Sequence, residues 1–94
     1  MALFTTRIEL HSIFKEDHQV LQQALRNENF IPTIKDEQGG IFILPTSEYN
    51  KEGEYTKEQV FDSAIRAACK TGKEYSILVT ESAGRCWANL AKVK

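Results

Sequence analysis

An α+β fold, with two helices on one face of an antiparallel sheet, is what this sequence predicts, and three observations predict it. Strand chemistry fills residues 3–11 and 75–81, near opposite ends of the chain. Two stretches with helical spacing of apolar residues lie between them. A Gly39-Gly40 turn, set between apolar runs, divides the middle. The order strand, helix, strand, turn, strand, helix, strand follows.

The first strand alternates: Phe4, Thr6, Ile8 and Leu10 point one way, and Thr5, Arg7, Glu9 and His11 the other. One face is core and the other is wet. Ser12 can cap the next element, where Phe14, His18, Leu21 and Leu25, with Ala24 beside them, form one helical stripe ending near Asn27 to Asn29. Residues 30–35 read as a strand whose Pro32 has no amide to donate, which predicts a sheet edge. Residues 36–40 supply turn chemistry, and residues 41–44 return as an apolar, buried arm of a hairpin.

Residues 45–55 are the least regular stretch and read as a long loop, either functional or a plain surface excursion. Thr56 and Gln59 have capping-box spacing. In the second helix Val60, Ala64, Ala67 and Ala68 form the packing side, Phe61 and Ile65 broaden it, and Gly72 ends it. Residues 82–85 signal a turn, after which residues 86–90 read as a short fifth strand. The result is one ferredoxin-like βαββαβ unit with an additional short C-terminal strand. In that plan the first and third strands are central, so Arg7 and Glu9 lie mid-sheet on the open face, near Phe42 or Leu44.

Composition narrows the function classes. The 94 residues, 41% hydrophobic and 27% charged, suit a single domain over 1–94 with one modest core. No apolar run approaches the roughly 20 residues of a membrane helix, and the N-terminus lacks the basic-then-apolar layout of a secretion signal. A cytoplasmic protein with no membrane partner is expected. The net charge of −1 argues against indiscriminate coating of nucleic acid, and no DNA partner is expected. Residues 61–94 carry six basic groups against three acidic ones, which permits a local anion site there. Cys69 and Cys86 lack CxxC spacing and read as small apolar fillers. His11 on a strand end and His18 on a helix make no zinc set, so neither metal nor cofactor is expected.

The opening residues 1–11, the loop Leu44-Pro-Thr-Ser-Glu-Tyr-Asn50, and the stretch from Thr71-Gly-Lys73 through residues 77–82 to Gly84-Arg85 and Trp87 resemble the small bacterial proteins of the GhoS antitoxin family. That family is similar in fold to a CRISPR-associated group of small nucleases. The resemblance implies a ferredoxin-like endoribonuclease that cuts the messenger RNA of a membrane-disrupting toxin, as in a type V toxin–antitoxin system. Those nucleases carry a metal-binding aspartate where the first strand ends; here Leu10-His11-Ser12 stands instead. Metal-dependent chemistry therefore lacks its carboxylate.

A metal-independent route uses the RNA 2′-hydroxyl as nucleophile and needs a general acid–base and a cation. The candidates are His11, whose imidazole type titrates near neutral pH, with Glu9 and Arg7 as open-face neighbours. Arg7 also suits an ion pair across a dimer interface. Arg85 and Trp87, two apart, offer a cation beside a stacking platform for single-stranded RNA, and Lys73 adds charge nearby. Each has a plainer role as well: a solvated strand end, a cover for the sheet end, a counter-charge to a helix dipole. The alternative to an RNA-binding antitoxin is a non-catalytic dimeric module that binds a protein partner through the open sheet face. A small-ligand regulatory domain is the third option. A homodimer is expected because the open face is too apolar to stay bare.

Overall fold

The computed structural model describes residues 2–93. Seven elements follow in order: β1 (Ala2–Leu10), α1 (Lys15–Asn27), β2 (Thr33–Lys35), β3 (Ile41–Ile43), β4 (Glu48–Gly53), α2 (Lys57–Cys69) and β5 (Tyr75–Ser82). β1 is the middle strand of an antiparallel sheet ordered β4-β1-β5, and β2 and β3 form a separate antiparallel pair.

The period-two pattern of β1 decides the layers. Phe4, Thr6 and Ile8 are buried, whereas Arg7 and Glu9 are exposed. Leu21 and Leu25 of α1 and Val60, Ala64, Ala67 and Ala68 of α2 join Phe4 and Ile8 in one core, so both helices cover the same side of the sheet. Alanines on α2 keep its axis close to β5 and β1, against which it packs.

α2 starts as its capping box requires: Gln59 N donates to Thr56 Oγ1 at 3.1 Å, and Thr56 N donates to Gln59 Oε1 at 2.9 Å. Beyond its end Gly72 takes φ of +70°, a conformation that costs glycine least. α1 starts differently. Phe14 occupies the N-cap and no side chain caps the first turn; Ser12 instead accepts from Phe14 N at 3.1 Å and donates to Asp17 Oδ2 at 2.5 Å. Phe14 is exposed, outside the buried stripe, while His18 donates to the Ser12 carbonyl at 3.0 Å.

Three expectations are corrected. The stretch 45–55 contains β4, paired along β1 from Arg7↔Glu48 to Ala2↔Gly53. Its pattern is hidden because Asn50 and Lys51 are polar yet only 1% and 3% exposed. Lys51 is buried on the helix side, where it donates to the Glu28 carbonyl and lies 4.9 Å from the Phe30 ring centroid and 4.5 Å from that of Tyr55. Burial lowers its pKa, against the opposing pull of the Glu28 carboxylate.

The second correction concerns residues 41–44. β3 pairs with β2 and leaves Ile41 and Ile43 exposed; Leu44, one residue past the strand, is the buried one. Its place beside β1 is taken by β4. The hairpin turn itself is as expected, with Asp36 Oδ1 accepting from Gln38 N at 3.0 Å and Gly40 N at 2.7 Å and Gly39 at φ +84°.

The third correction is at the C-terminal end, where residues 86–90 form no strand. The chain bends at Ala88 and Asn89, the latter at φ +62°, and then meets β3 through Ile43 N to Ala91 O at 2.8 Å, Val93 N to Ile41 O at 2.7 Å and a Phe42↔Lys92 bridge. Among the described residues no helix is long and apolar enough to cross a membrane.

Candidate functional site

The sheet face turned away from the helices is built by register. Thr5 stands between Asn50 and Thr80, Arg7 between Glu48 and Leu78, and Glu9 beside Ser76. Directly opposed residues share a face, so these side chains share the one that β1 presents with Thr5, Arg7 and Glu9. The face is open only in part. On the β5 side Ser76, Leu78 and Thr80 are exposed, Leu78 to 64%. On the β4 side Asn50 is buried beneath the C-terminal segment.

The three acid–base candidates do share this face. Arg7 Nη2 lies 2.9 Å from Glu9 Oε1 and Nη1 3.5 Å from Glu48 Oε2, so two carboxylates already attend its charge. The pairs are solvent-exposed and contribute little to stability. His11 follows the end of β1; its amide donates to Glu74 O at 2.9 Å and its Nε2 lies 2.9 Å from Ser76 Oγ. The imidazole therefore leans across β5. Arg7 has Glu48 and Leu78 as neighbours, not the expected Phe42 or Leu44.

The RNA-binding candidates divide. Arg85 reaches the sheet, where Nη1 donates to Thr5 Oγ1 at 3.3 Å and Asn50 Oδ1 at 3.0 Å. Trp87 packs on Phe42 with ring centroids 5.6 Å apart and planes at 55°. Both line one cavity of about 390 Å³, together with Thr5, Leu44, Glu48 and Leu90. Lys73 is elsewhere: its Nζ lies 4.0 Å from Asp17 Oδ2 and 5.8 Å from the centroid of Phe14, at the start of α1.

Cysteine placement also departs from expectation. Both thiols are free and exposed, Cys69 at the end of α2 with its Sγ 3.7 Å from the Tyr75 hydroxyl, and Cys86 on the cavity wall. Among the described residues no group of three or more His, Cys, Asp or Glu side chains is arranged to hold a metal ion.

Sequence reasoning missed Glu48 and Asn50 as site residues, because both fell in the stretch taken for a loop. The one available signal was Tyr49, an aromatic flanked by polar residues, which in the structure is buried on the opposite face. Desolvation there raises its phenolic pKa. Compared with known protein families, curated proteins and solved structures, the chain has no match.

Proposed function

We propose that this chain is a GhoS-like antitoxin of ferredoxin-like topology that binds single-stranded messenger RNA on the sheet side opposite its helices. The observation that carries the reading is Arg85. Its guanidinium is half-buried beside Trp87, pairs with no carboxylate among the described residues, and sits at the edge of the exposed strip formed by Ser76, Leu78 and Thr80. A cation next to an aromatic wall suits a phosphate and a stacked base. The topology is supported by the bridge Ile31↔Asn50, whose two amide bonds of 2.9 and 2.7 Å lie on the β4 edge away from β1. That bridge sets Ile31, just ahead of β2, against β4, on the edge that a ferredoxin-like order assigns to the second strand.

Cleavage by His11, with Glu9 and Arg7 as its neighbours, belongs to the same proposal. His11 is exposed on this face and a 2′-hydroxyl can approach it from solvent. Fluorescence anisotropy with short single-stranded RNAs tests the binding: affinity falls with rising salt and falls further in Arg85→Gln. Absence of any binding at low salt removes the reading. Cleavage is tested on the same RNAs with and without a chelator, and activity unchanged in His11→Ala removes the catalytic assignment.

A second reading, a dimeric module that meets a partner through the open face, is favoured by Leu78, a large apolar side chain exposed on the edge strand β5 of that face. Sedimentation equilibrium distinguishes it. A dimer that Leu78→Glu dissociates supports this reading, and a monomer at all concentrations opposes self-association.

A further inference from the structure

The cavity beneath the C-terminal segment joins three features of different chemistry. Arg85 spends Nη1 on Thr5 and Asn50, which leaves Nε and Nη2 without a hydrogen-bond partner among the described residues. Glu48 lines the same space, and its one side-chain polar interaction among the described residues is the long 3.5 Å approach to Arg7, so its carboxylate keeps acceptor capacity. Trp87, held by Phe42, adds a flat wall, continued by the aliphatic side chains of Leu44 and Leu90.

Size and polarity together define the occupant. A volume of about 390 Å³ falls near the lower end of the roughly 300–1,000 Å³ of small-molecule pockets, which suits one planar ring system with a sugar. The ring must offer acceptors to a guanidinium at one edge and donors to a carboxylate at another. Guanine does both. Its O6 and N7 accept a forked arginine, and its N1–H and N2–H₂ are adjacent donors that a carboxylate receives in parallel. Adenine has a single amino donor between acceptors, uracil a single N–H between carbonyls, and cytosine an amino group beside acceptors. None of the three presents two neighbouring donors to a carboxylate.

We propose that this cavity binds a guanine base, with its ring against Trp87, Arg85 on the O6/N7 edge and Glu48 on the N1/N2 edge. The base has two sources, a free guanine nucleotide or a guanine turned out of single-stranded RNA. The second source rests on the function proposed above, and the first does not.

Trp87 is the one tryptophan of the chain, so its indole N–H is a single reporter in a ¹H–¹⁵N spectrum. The intact protein is titrated with GMP, AMP, UMP and inorganic phosphate, then with short unstructured RNAs that contain one guanine or none. GMP is expected to shift the indole signal saturably, with AMP and UMP weaker by about tenfold or more, the discrimination of a bidentate base contact. Glu48→Gln is expected to erase that preference; because the nucleotide ranking on the unaltered protein needs no variant, a Glu48→Gln that fails to fold leaves the test intact.

RNA bound through its guanine and displaced by GMP supports the cavity and the RNA function together. GMP binding without RNA binding supports the cavity and removes the RNA function. RNA binding indifferent to guanine, with an indole signal unmoved by GMP, overturns the cavity proposal and leaves the RNA function standing. An equal response to all nucleotides, or to phosphate alone, overturns guanine recognition.

Discussion

Thr6→Val is expected to stabilise this protein. Thr6 lies on the core face of β1 between Phe4 and Ile8, is fully buried, and its Oγ1 has no hydrogen-bond partner among the described residues. Stripping a hydroxyl of water without replacing its hydrogen bond costs about 1–3 kcal/mol. Valine keeps the branched outline and the strand preference while substituting a methyl for the hydroxyl. The expected gain is about 1–2 kcal/mol. In a chain of this length each kcal/mol raises Tm by about 4–8 °C, so a rise of about 4–16 °C follows. Urea unfolding followed by circular dichroism reads the gain as a higher midpoint at unchanged slope. Thr6→Ser is the matched control: it keeps the hydroxyl, removes the methyl, and is expected to lose about 1 kcal/mol. A Thr6→Val midpoint at or below that of the unaltered protein refutes the reasoning, since the hydroxyl then contributes a bond that the geometry does not reveal.

The remaining predictions use the same unfolding measurement. Thr56→Ala removes the acceptor for Gln59 N and is expected to cost about 1 kcal/mol, with Thr56→Asp retaining most of it. Ala64→Leu forces a larger side chain into a position with no exposure between α2 and the sheet, at an expected cost of about 1–3 kcal/mol; no loss means that α2 is free to move outward. The pH profile is set in part by Glu28. The hydrogen bond from Arg66 holds its carboxyl pKa below the ordinary 4.5, so the folded protein binds that proton less readily than the unfolded chain. The resulting stability is present above 4.5 and is lost as the pH falls through the folded-state value. Arg66→Gln is therefore expected to lower the midpoint near neutral pH and to converge with the unaltered protein in acid. A difference that stays constant across the profile contradicts the linkage.

Legibility from sequence tracked how local the deciding interaction was. β1 and α2 were readable because their signals are local: alternation from Phe4 to Leu10, and a capping box followed by alanines at helical spacing. The candidate site was readable to the extent that β1 presents it, which brought Arg7, Glu9 and His11 onto one face as expected. β4 was opaque because its core-facing cation, Lys51, is satisfied by the carbonyl of Glu28, which caps the end of α1, and by the rings of Phe30 and Tyr55. Asn50 on its other face is covered by Arg85 from far along the chain. Apart from Tyr55, those partners lie far from β4 in the chain, where no window of neighbouring residues contains them.

The amino-acid sequence alone determined the α+β class, the two helices, the buried face of β1 and the hairpin turn, since side-chain period, end capping and glycine conformation act within a few residues. Only the tertiary structure decided that Glu48–Gly53 takes the strand position beside β1, that Ile41–Ile43 is left outside the main sheet, and that the C-terminal segment drops Arg85 onto Asn50. The reason is that burying a polar strand is favourable only when distant groups supply its hydrogen bonds, and chain folding alone brings those groups together.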